Sequence, residues 1–283
     1  MNPLVKYIND GFVDIKKFKK LIDIHSDIIN AKTNNGSTVL IVACQKGLLE
    51  FVKELLKFNG IDINAQNNNG VTALMISFQY DHFEIMKELL KDEKIDLNVK
   101  NILGWNIFME VCSNSNLELV KELLKFDGID FNAKNNDGWN ALMISCMIDN
   151  NLDIVKELLK SNKININAID KDNWTALMVA CQRGHINIIK ELLDISDIDV
   201  NVKNNKNQTA LDIAGEHSSN MRISRYNICI EFALRDLITC NYCHKKNSEI
   251  KLEICGYCLS YVYCSIKCQR SDWKEHKHIC KEI

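Results

Sequence analysis

Seven of the twelve cysteines of this 283-residue chain fall in its last 44 residues, as Cys240-x2-Cys243-x11-Cys255-x2-Cys258-x5-Cys264-x3-Cys268-x7-His276-x3-Cys280. Two Cys-x2-Cys knuckles, one Cys-x3-Cys and one His-x3-Cys supply eight ligands, the number that two tetrahedral zinc ions require. An x2 spacing lets a tight turn aim two thiolates at an ion about 2.3 Å away, and x3 puts two ligands on one face of a helical turn. Coordination this rich in sulfur, with no open position, suits a structural metal rather than a hydrolytic one. The segment is short and poor in aliphatic residues, so metal binding and folding are expected to be one event. An iron–sulfur cluster is the competing reading, and the His-x3-Cys pair and two equal sets of four speak against it. His244 and His278 fall outside the ligand spacing and are expected to face solvent.

The chain begins Met1-Asn2-Pro3-Leu4-Val5-Lys6 without an apolar h-region, and no apolar run approaches membrane-spanning length. Neither secretion nor membrane insertion is expected, and the cysteines are therefore not read as a disulfide framework. With 46% hydrophobic residues the chain can build a packed core, and a net charge of −2 removes the usual electrostatic argument for nucleic acid or membrane surface.

What must position the cluster lies immediately before it. Residues 230–237 read as a helix running nearly into Cys240, so the cysteine-rich segment is expected to be mounted on the preceding structure and to cap it. That structure repeats. Asn30, Asn64, Asn98, Asn132, Asn167 and Asn201 recur at intervals of 34, 34, 34, 35 and 34, the longer interval arising from an inserted residue near Asp149-Asn150-Asn151. Gly36, Gly70, Gly104, Gly138, Asn173 and Asn207 share a slot that requires a left-handed turn residue. Three residues earlier stand Thr33, Asn67, Asn101, Asn135, Asp170 and Asn204, which form Asx- or ST-type turns. Two residues later, Thr38, Thr72, Asn106, Asn140, Thr175 and Thr209 supply a helix N-cap oxygen. A first helix follows, then a second such as Phe51–Leu56, with Val52, Leu55 and Leu56 on one face and Lys53 and Glu54 turned to solvent. Helix pairs this short cannot bury their apolar faces alone, but stacked neighbours can. The fold class is mostly α, a helical solenoid.

The Gly-x-Thr-Ala-Leu-Met turn and helix start, Gly184-His185 between helices and Gly60-Ile61-Asp62-Ile63-Asn64 closing a unit resemble ankyrin repeats, over roughly three quarters of the chain. The family's Thr-Pro-Leu-His is here Thr-Ala-Leu-Met, without the proline and the imidazole. Residues 30–237 form six such units, and residues 1–29, with helical periodicity over Asp14–Ile22, are expected to be a degenerate, polar N-terminal cap. Residues 238–283 resemble a MYND-type zinc finger, whereas a RING finger fails because its central Cys-x-His is absent. The resemblance implies an interleaved arrangement: one zinc on Cys240, Cys243, Cys264 and Cys268, the other on Cys255, Cys258, His276 and Cys280. It also implies a groove for proline-rich peptides of partner proteins, lined by Gln269 and Trp273, though Trp273 could equally be the core of so small a domain.

Other positions are read slot by slot. Cys44, Cys112, Cys146 and Cys181 share a slot with Phe78 and Gly215 and are expected to pack as small hydrophobes, as is Cys229. His82 and His185 occupy one inter-helix slot, where ankyrin units commonly keep a hydrogen-bonded His. Trp105, Trp139 and Trp174 follow the turn residue in three consecutive units, where the family contacts partners; they form either a binding stripe or a cover over each repeat edge. Seven basic against four acidic residues give the finger +3 and leave the repeats at −5, which argues against nucleic acid.

The functional expectation is an intracellular, non-enzymatic protein-interaction scaffold, cytoplasmic or nuclear. It would hold one partner on the repeats and a proline-rich peptide on the finger, with no small-molecule substrate. Alternatives are a corepressor-type recruiter or a methyltransferase-associated subunit. The chain itself has no Gly-rich cofactor loop, nucleophile–base arrangement or room for a SET domain.

Overall fold

Each repeat begins with a side chain that folds its own turn. Asn67 Oδ1 accepts from the N–H groups of Asn69 (2.9 Å) and Val71 (3.0 Å), and Asp170 and Asn204 do the same for Asp172 with Trp174 and for Lys206 with Gln208. The turn then passes through a left-handed residue, with φ between 59° and 89° at Gly36, Gly70, Gly104, Gly138, Asn173 and Asn207. At Gly104 the requirement is twofold, because a Cβ would also stand 2.6 Å from the backbone nitrogen of Asn136. Two residues on, the capping side chain accepts from the third N–H of the helix: Thr38 from Ile41, Thr72 from Met75, Asn106 from Met109, Asn140 from Met143 and Thr175 from Met178. Thr209 and Asp212 form a reciprocal pair, each accepting from the other's N–H.

The computed structural model describes residues 2–216 and two short segments, 253–254 and 262–263. They fall in two compact units, 1–136 and 137–283. In the first unit α1 (Pro3–Asn9) and α2 (Ile15–Ile24) precede three helix pairs: α3 (Val39–Gln45) with α4 (Leu49–Leu56), α5 (Ala73–Gln79) with α6 (Phe83–Leu89), and α7 (Ile107–Ser113) with α8 (Leu117–Leu123). In the second, α9 (Ala141–Met147) pairs with α10 (Leu152–Lys160) and α11 (Ala176–Arg183) with α12 (Ile186–Leu193), and α13 (Ala210–Glu216) packs on α11. The extra residue of the long repeat is taken up by a 3-10 turn at Asp149–Asn151, between α9 and α10.

The first helix of each pair is buried almost all round, as with Val39–Cys44 in α3, while the second buries one stripe, as with Val52 and Leu55 in α4. Each such fully buried Leu contributes about 2 kcal/mol of burial. The expected helical segment at the N-terminus is α2, and α1 lies ahead of it, started by an Asn2 cap and Pro3 in the first turn. Phe18 of α2 packs against Phe51 of α4, the rings tilted at 39° with 4.3 Å between centroids. Glu54 departs from expectation. Its side chain is only 13% exposed, held by Lys57 at 2.7 Å and by Lys19 of α2 at 3.1 Å, and these cations pull its carboxyl below the usual range.

Two sets of hydrogen bonds recur along the array, one between successive turns and one from the start of each unit to its closing loop. Successive turns are hooked backbone to backbone, with Asn68 N–H on Asn35 C=O, Ile102 on Asn69 and Asn136 on Leu103, each 3.0 Å, and Asn205 on Asp172 at 3.0 Å in the second unit. The recurring asparagine that marks the period is the second tie. Asn30 donates to Gly60 C=O (2.7 Å) and accepts from Asp62 N–H (2.9 Å). Asn64 does so with Lys94 and Asp96, Asn98 with Gly128 and Asp130, and Asn167 with Asp197 and Asp199. β1 (Glu253–Ile254) and β2 (Val262–Tyr263) form an antiparallel pair in which Glu253 opposes Tyr263 and Ile254 opposes Val262.

Candidate partner surfaces and metal centre

Trp105, Trp139 and Trp174 are each half-buried. Their backbones are fixed by the turn: the N–H of Trp105 donates to Asn101 Oδ1 at 3.0 Å and that of Trp174 to Asp170 Oδ1 at 2.8 Å. Trp139 and Trp174 hold the same slot in successive repeats of the second unit, and Trp105 holds it in the first.

The third repeat adds groups that slot-by-slot reading of the turn and cap residues passed over. Glu110 stands on α7 where the other units carry Val42, Ile76, Ile144, Val179 and Ile213. It is 8% exposed and accepts from the side-chain amides of Gln79 (3.2 and 3.3 Å) and Asn101 (3.2 Å). Burial dominates these bonds and pushes its carboxyl up to about 7. The turn that Asn101 folds carries Ile102 and Leu103, 61% and 62% exposed, where the other repeats place Asn, Asp or Lys. Tyr80, next to Gln79, is 49% exposed and its hydroxyl accepts from Gln45 Nε2 at 2.8 Å. The signal that could have found these residues was present in the aligned units: one acid in an aliphatic slot, and one apolar tip among polar ones.

The remaining sequence candidates divide plainly. Cys44, Cys112, Cys146 and Cys181 are all buried, and burial pushes the thiols of Cys44 and Cys146 far above their usual range, as packing residues require. His82 lies 3.3 Å from Gln45 C=O and His185 3.0 Å from Cys146 C=O, the expected hydrogen-bonding role. Among the described residues no group of three or more His, Cys, Asp or Glu is placed to hold a metal, and no helix is long and apolar enough to cross a membrane. Cys229, the helix expected over 230–237, the ligands Cys240, Cys243, Cys255, Cys258, Cys264, Cys268, His276 and Cys280, and the groove residues Gln269 and Trp273 lie outside the described residues, as do His217, His244 and His278.

The helix pairs, the left-handed turns and the ties between repeats define a class, and comparison with known proteins agrees. The ankyrin-repeat family profile matches three times, at residues 8–101, 93–170 and 147–229. The chain belongs to the ankyrin-repeat proteins. Its residues 240–280 match the MYND finger, a zinc-binding module, and both modules are protein-binding ones. Among solved structures, the ankyrin repeat domain of Bcl-3, described as a unique member of the IkappaB protein family, superposes with a TM-score of 0.67. That match is 23% identical and covers 79% of this chain and 97% of that one, a likeness of fold. Curated relatives match over short stretches. The SET domain-containing protein 14 of Caenorhabditis elegans is 48% identical over 44 residues, 16% of this chain and 10% of the relative. The Tudor domain-containing protein 1 of Oryzias latipes is 43% identical over 44 residues, 16% of this chain and 4% of the relative. The chain therefore spans a tenth or less of these relatives.

Proposed function

We propose that the chain is a non-enzymatic intracellular adaptor that holds one protein on its ankyrin repeats and a proline-rich peptide of another on its MYND finger. The observation that carries this reading is that two protein-binding modules account for residues 8–229 and 240–280. On the repeats, Trp105, Trp139 and Trp174 are the anchors, rigid side chains that lose little entropy on binding. On the finger, Gln269 and Trp273 receive the peptide, the indole against pyrrolidine faces and the amide to an unpaired carbonyl.

Two zinc ions hold the finger, one on Cys240, Cys243, Cys264 and Cys268, the other on Cys255, Cys258, His276 and Cys280. The donor chemistry fits: seven thiols and one imidazole divide into two closed sets of four. When bound, zinc supplies cross-links that replace a hydrophobic core, and the residues between the ligands present the peptide groove.

Affinity purification of the wild type beside Trp273→Ala and a Trp105→Ala/Trp139→Ala/Trp174→Ala variant tests the division of labour. Each variant is expected to lose its own set of partners, and identical partner lists would reject both surfaces. Native mass spectrometry is expected to count two zinc ions, and one after Cys264→Ser.

A further inference from the structure

We propose that the third repeat carries a docking site for a partner segment that sets a lysine or arginine beside an apolar side chain. Glu110 is the counter-charge, and Ile102, Leu103 and Tyr80 are the apolar contacts. The inference rests on the reading of the repeats as a partner surface and names the chemistry of that partner.

The first observation is a carboxylate where stacking alone calls for Val or Ile. Five other units fill the slot with an aliphatic residue, so a charge there is not demanded by the fold. Both of its hydrogen-bond donors are neutral amides, from Gln79 and Asn101. No cation of the described elements around it is paired with it. Helix α5 has no ionisable side chain, α7 adds only Cys112, the turn 101–105 has none, and α8, which packs on α7, carries Glu118, Glu122 and Lys121, whose ammonium is held by Glu118 at 3.4 Å. Beyond them, Asp81 and Lys46 are exposed, and the ammonium of Lys100 is engaged by the Lys134 carbonyl at 2.9 Å. A buried carboxylate without a cation is costly to ionise, which is why its pKa stands near 7. A cation brought by a partner is the complement it lacks.

The second observation is access. Gln79, which donates to both carboxylate oxygens, is itself an exposed residue, so its amide can swing aside for an incoming ammonium or guanidinium.

The third observation is what surrounds the acid. One hydrogen bond from Glu110, Asn101 fixes the turn whose tip is Ile102-Leu103 and whose next residue but one is Trp105. Tyr80 adjoins Gln79 on the other side. Apolar side chains more than half exposed at a turn tip gain from being covered, at about 25 cal/mol per Å². Glu110 is thus one hydrogen bond from Gln79, which Tyr80 follows, and one from Asn101, which opens the turn carrying Ile102 and Leu103. A segment that pairs a basic with an apolar residue satisfies both halves at once; an acidic segment meets repulsion, and an uncharged one leaves the carboxylate uncompensated.

Random peptides displayed on phage and selected against the full chain at about pH 8 test this. Selected peptides are expected to combine Lys or Arg with a neighbouring Leu, Ile, Phe or Trp. In titrations, Glu110→Gln should weaken them about tenfold, since a pairing worth ~1.4 kcal/mol is lost. Wild-type affinity should fall about tenfold between about pH 8 and about pH 6, because binding must then displace the proton from Glu110, and the Glu110→Gln variant should lose that dependence. Ile102→Asn/Leu103→Asn should abolish binding at an unchanged melting temperature, because Asn-Asn fills those slots in both preceding repeats.

Selection of no peptide, of peptides without a basic residue, or of peptides indifferent to both variants overturns the inference. So does self-association of the chain that Ile102→Asn/Leu103→Asn removes. Peptides lost only in Trp139→Ala or Trp174→Ala overturn this site and leave the repeats standing as a partner surface; peptides indifferent to every repeat variant overturn both.

Discussion

The second and third repeats share one backbone although 22 of their 34 slots hold different residues. Where one has Asn68-Asn69 at the turn tip, Val71 after it, Thr72 at the cap and Ile76 in the helix, the other has Ile102-Leu103, Trp105, Asn106 and Glu110. The ties are the same in both: an Asx-folded turn, a left-handed glycine, a capped helix and an asparagine bridging forward. The difference teaches that in this fold the backbone and a few amides set the architecture, so that exposed tips and single helix slots are released for recognition. The second repeat is what stacking alone asks for. The third departs from it in each place where a partner could touch.

The largest expected effect is at Glu110. Its carboxyl is raised from 4.5 to about 7 in the folded chain, so the folded state holds its proton longer than the unfolded one. Stability from this group is therefore fully present below about pH 4.5 and is lost as pH rises to about 7. Glu110→Gln, or Glu110→Ile on the pattern of the second repeat, should raise stability in urea at about pH 8 by up to ~3 kcal/mol, with little change at about pH 4. Equal denaturation midpoints for variant and wild type at both pH values would dissolve the contrast between the two repeats.

Next come the shared ties. Asn64→Ala and Asn98→Ala each remove two hydrogen bonds to the loop that closes the unit, and at ~1 kcal/mol net per bond both should cost about 2 kcal/mol. The informative result is that the two costs agree, since the ladder ignores what the tips carry. Smaller is the cap. Asn106 is 1% exposed and its Nδ2 has no hydrogen-bond partner among the described residues, so Asn106→Thr should stabilise by about 1 kcal/mol and Thr72→Asn should destabilise by about as much. Smallest is Ile102→Asn/Leu103→Asn, expected to move stability by less than about 0.5 kcal/mol because both side chains are exposed. A large loss would show that the tip is structural after all.

The features legible in the sequence are those whose cause is local. A left-handed slot, a cap oxygen and an Asx side chain act within four residues, so the turn residues, the six caps and the 34-residue period could be read directly. The role of the period-marking asparagine was not legible, because its partners lie 30 and 32 residues ahead and are backbone groups that carry no sequence signature. Glu54 was misjudged for the same reason: helical spacing points it outward, and only the packing of α2 brings Lys19 across to it. Helix α1 had its signal in Asn2-Pro3, a cap followed by proline in the first turn, but it is too short to show a period. The buried acid was visible only by asking which unit breaks a column. The zinc finger was legible because metal coordination fixes spacing as strictly as any turn does.

The asparagine tie has a direction. Each one sits at the start of a unit and grips the loop that closes the same unit, just ahead of the next asparagine, as Asn64 grips Lys94 and Asp96 two residues short of Asn98. The socket is made of main-chain groups, so it accepts whatever side chains its loop happens to carry. Every unit is thus a cassette that ships with its own connector. An array built this way can be lengthened or shortened by whole cassettes at its inner joints without redesigning any of them, and recognition chemistry can be exchanged one cassette at a time.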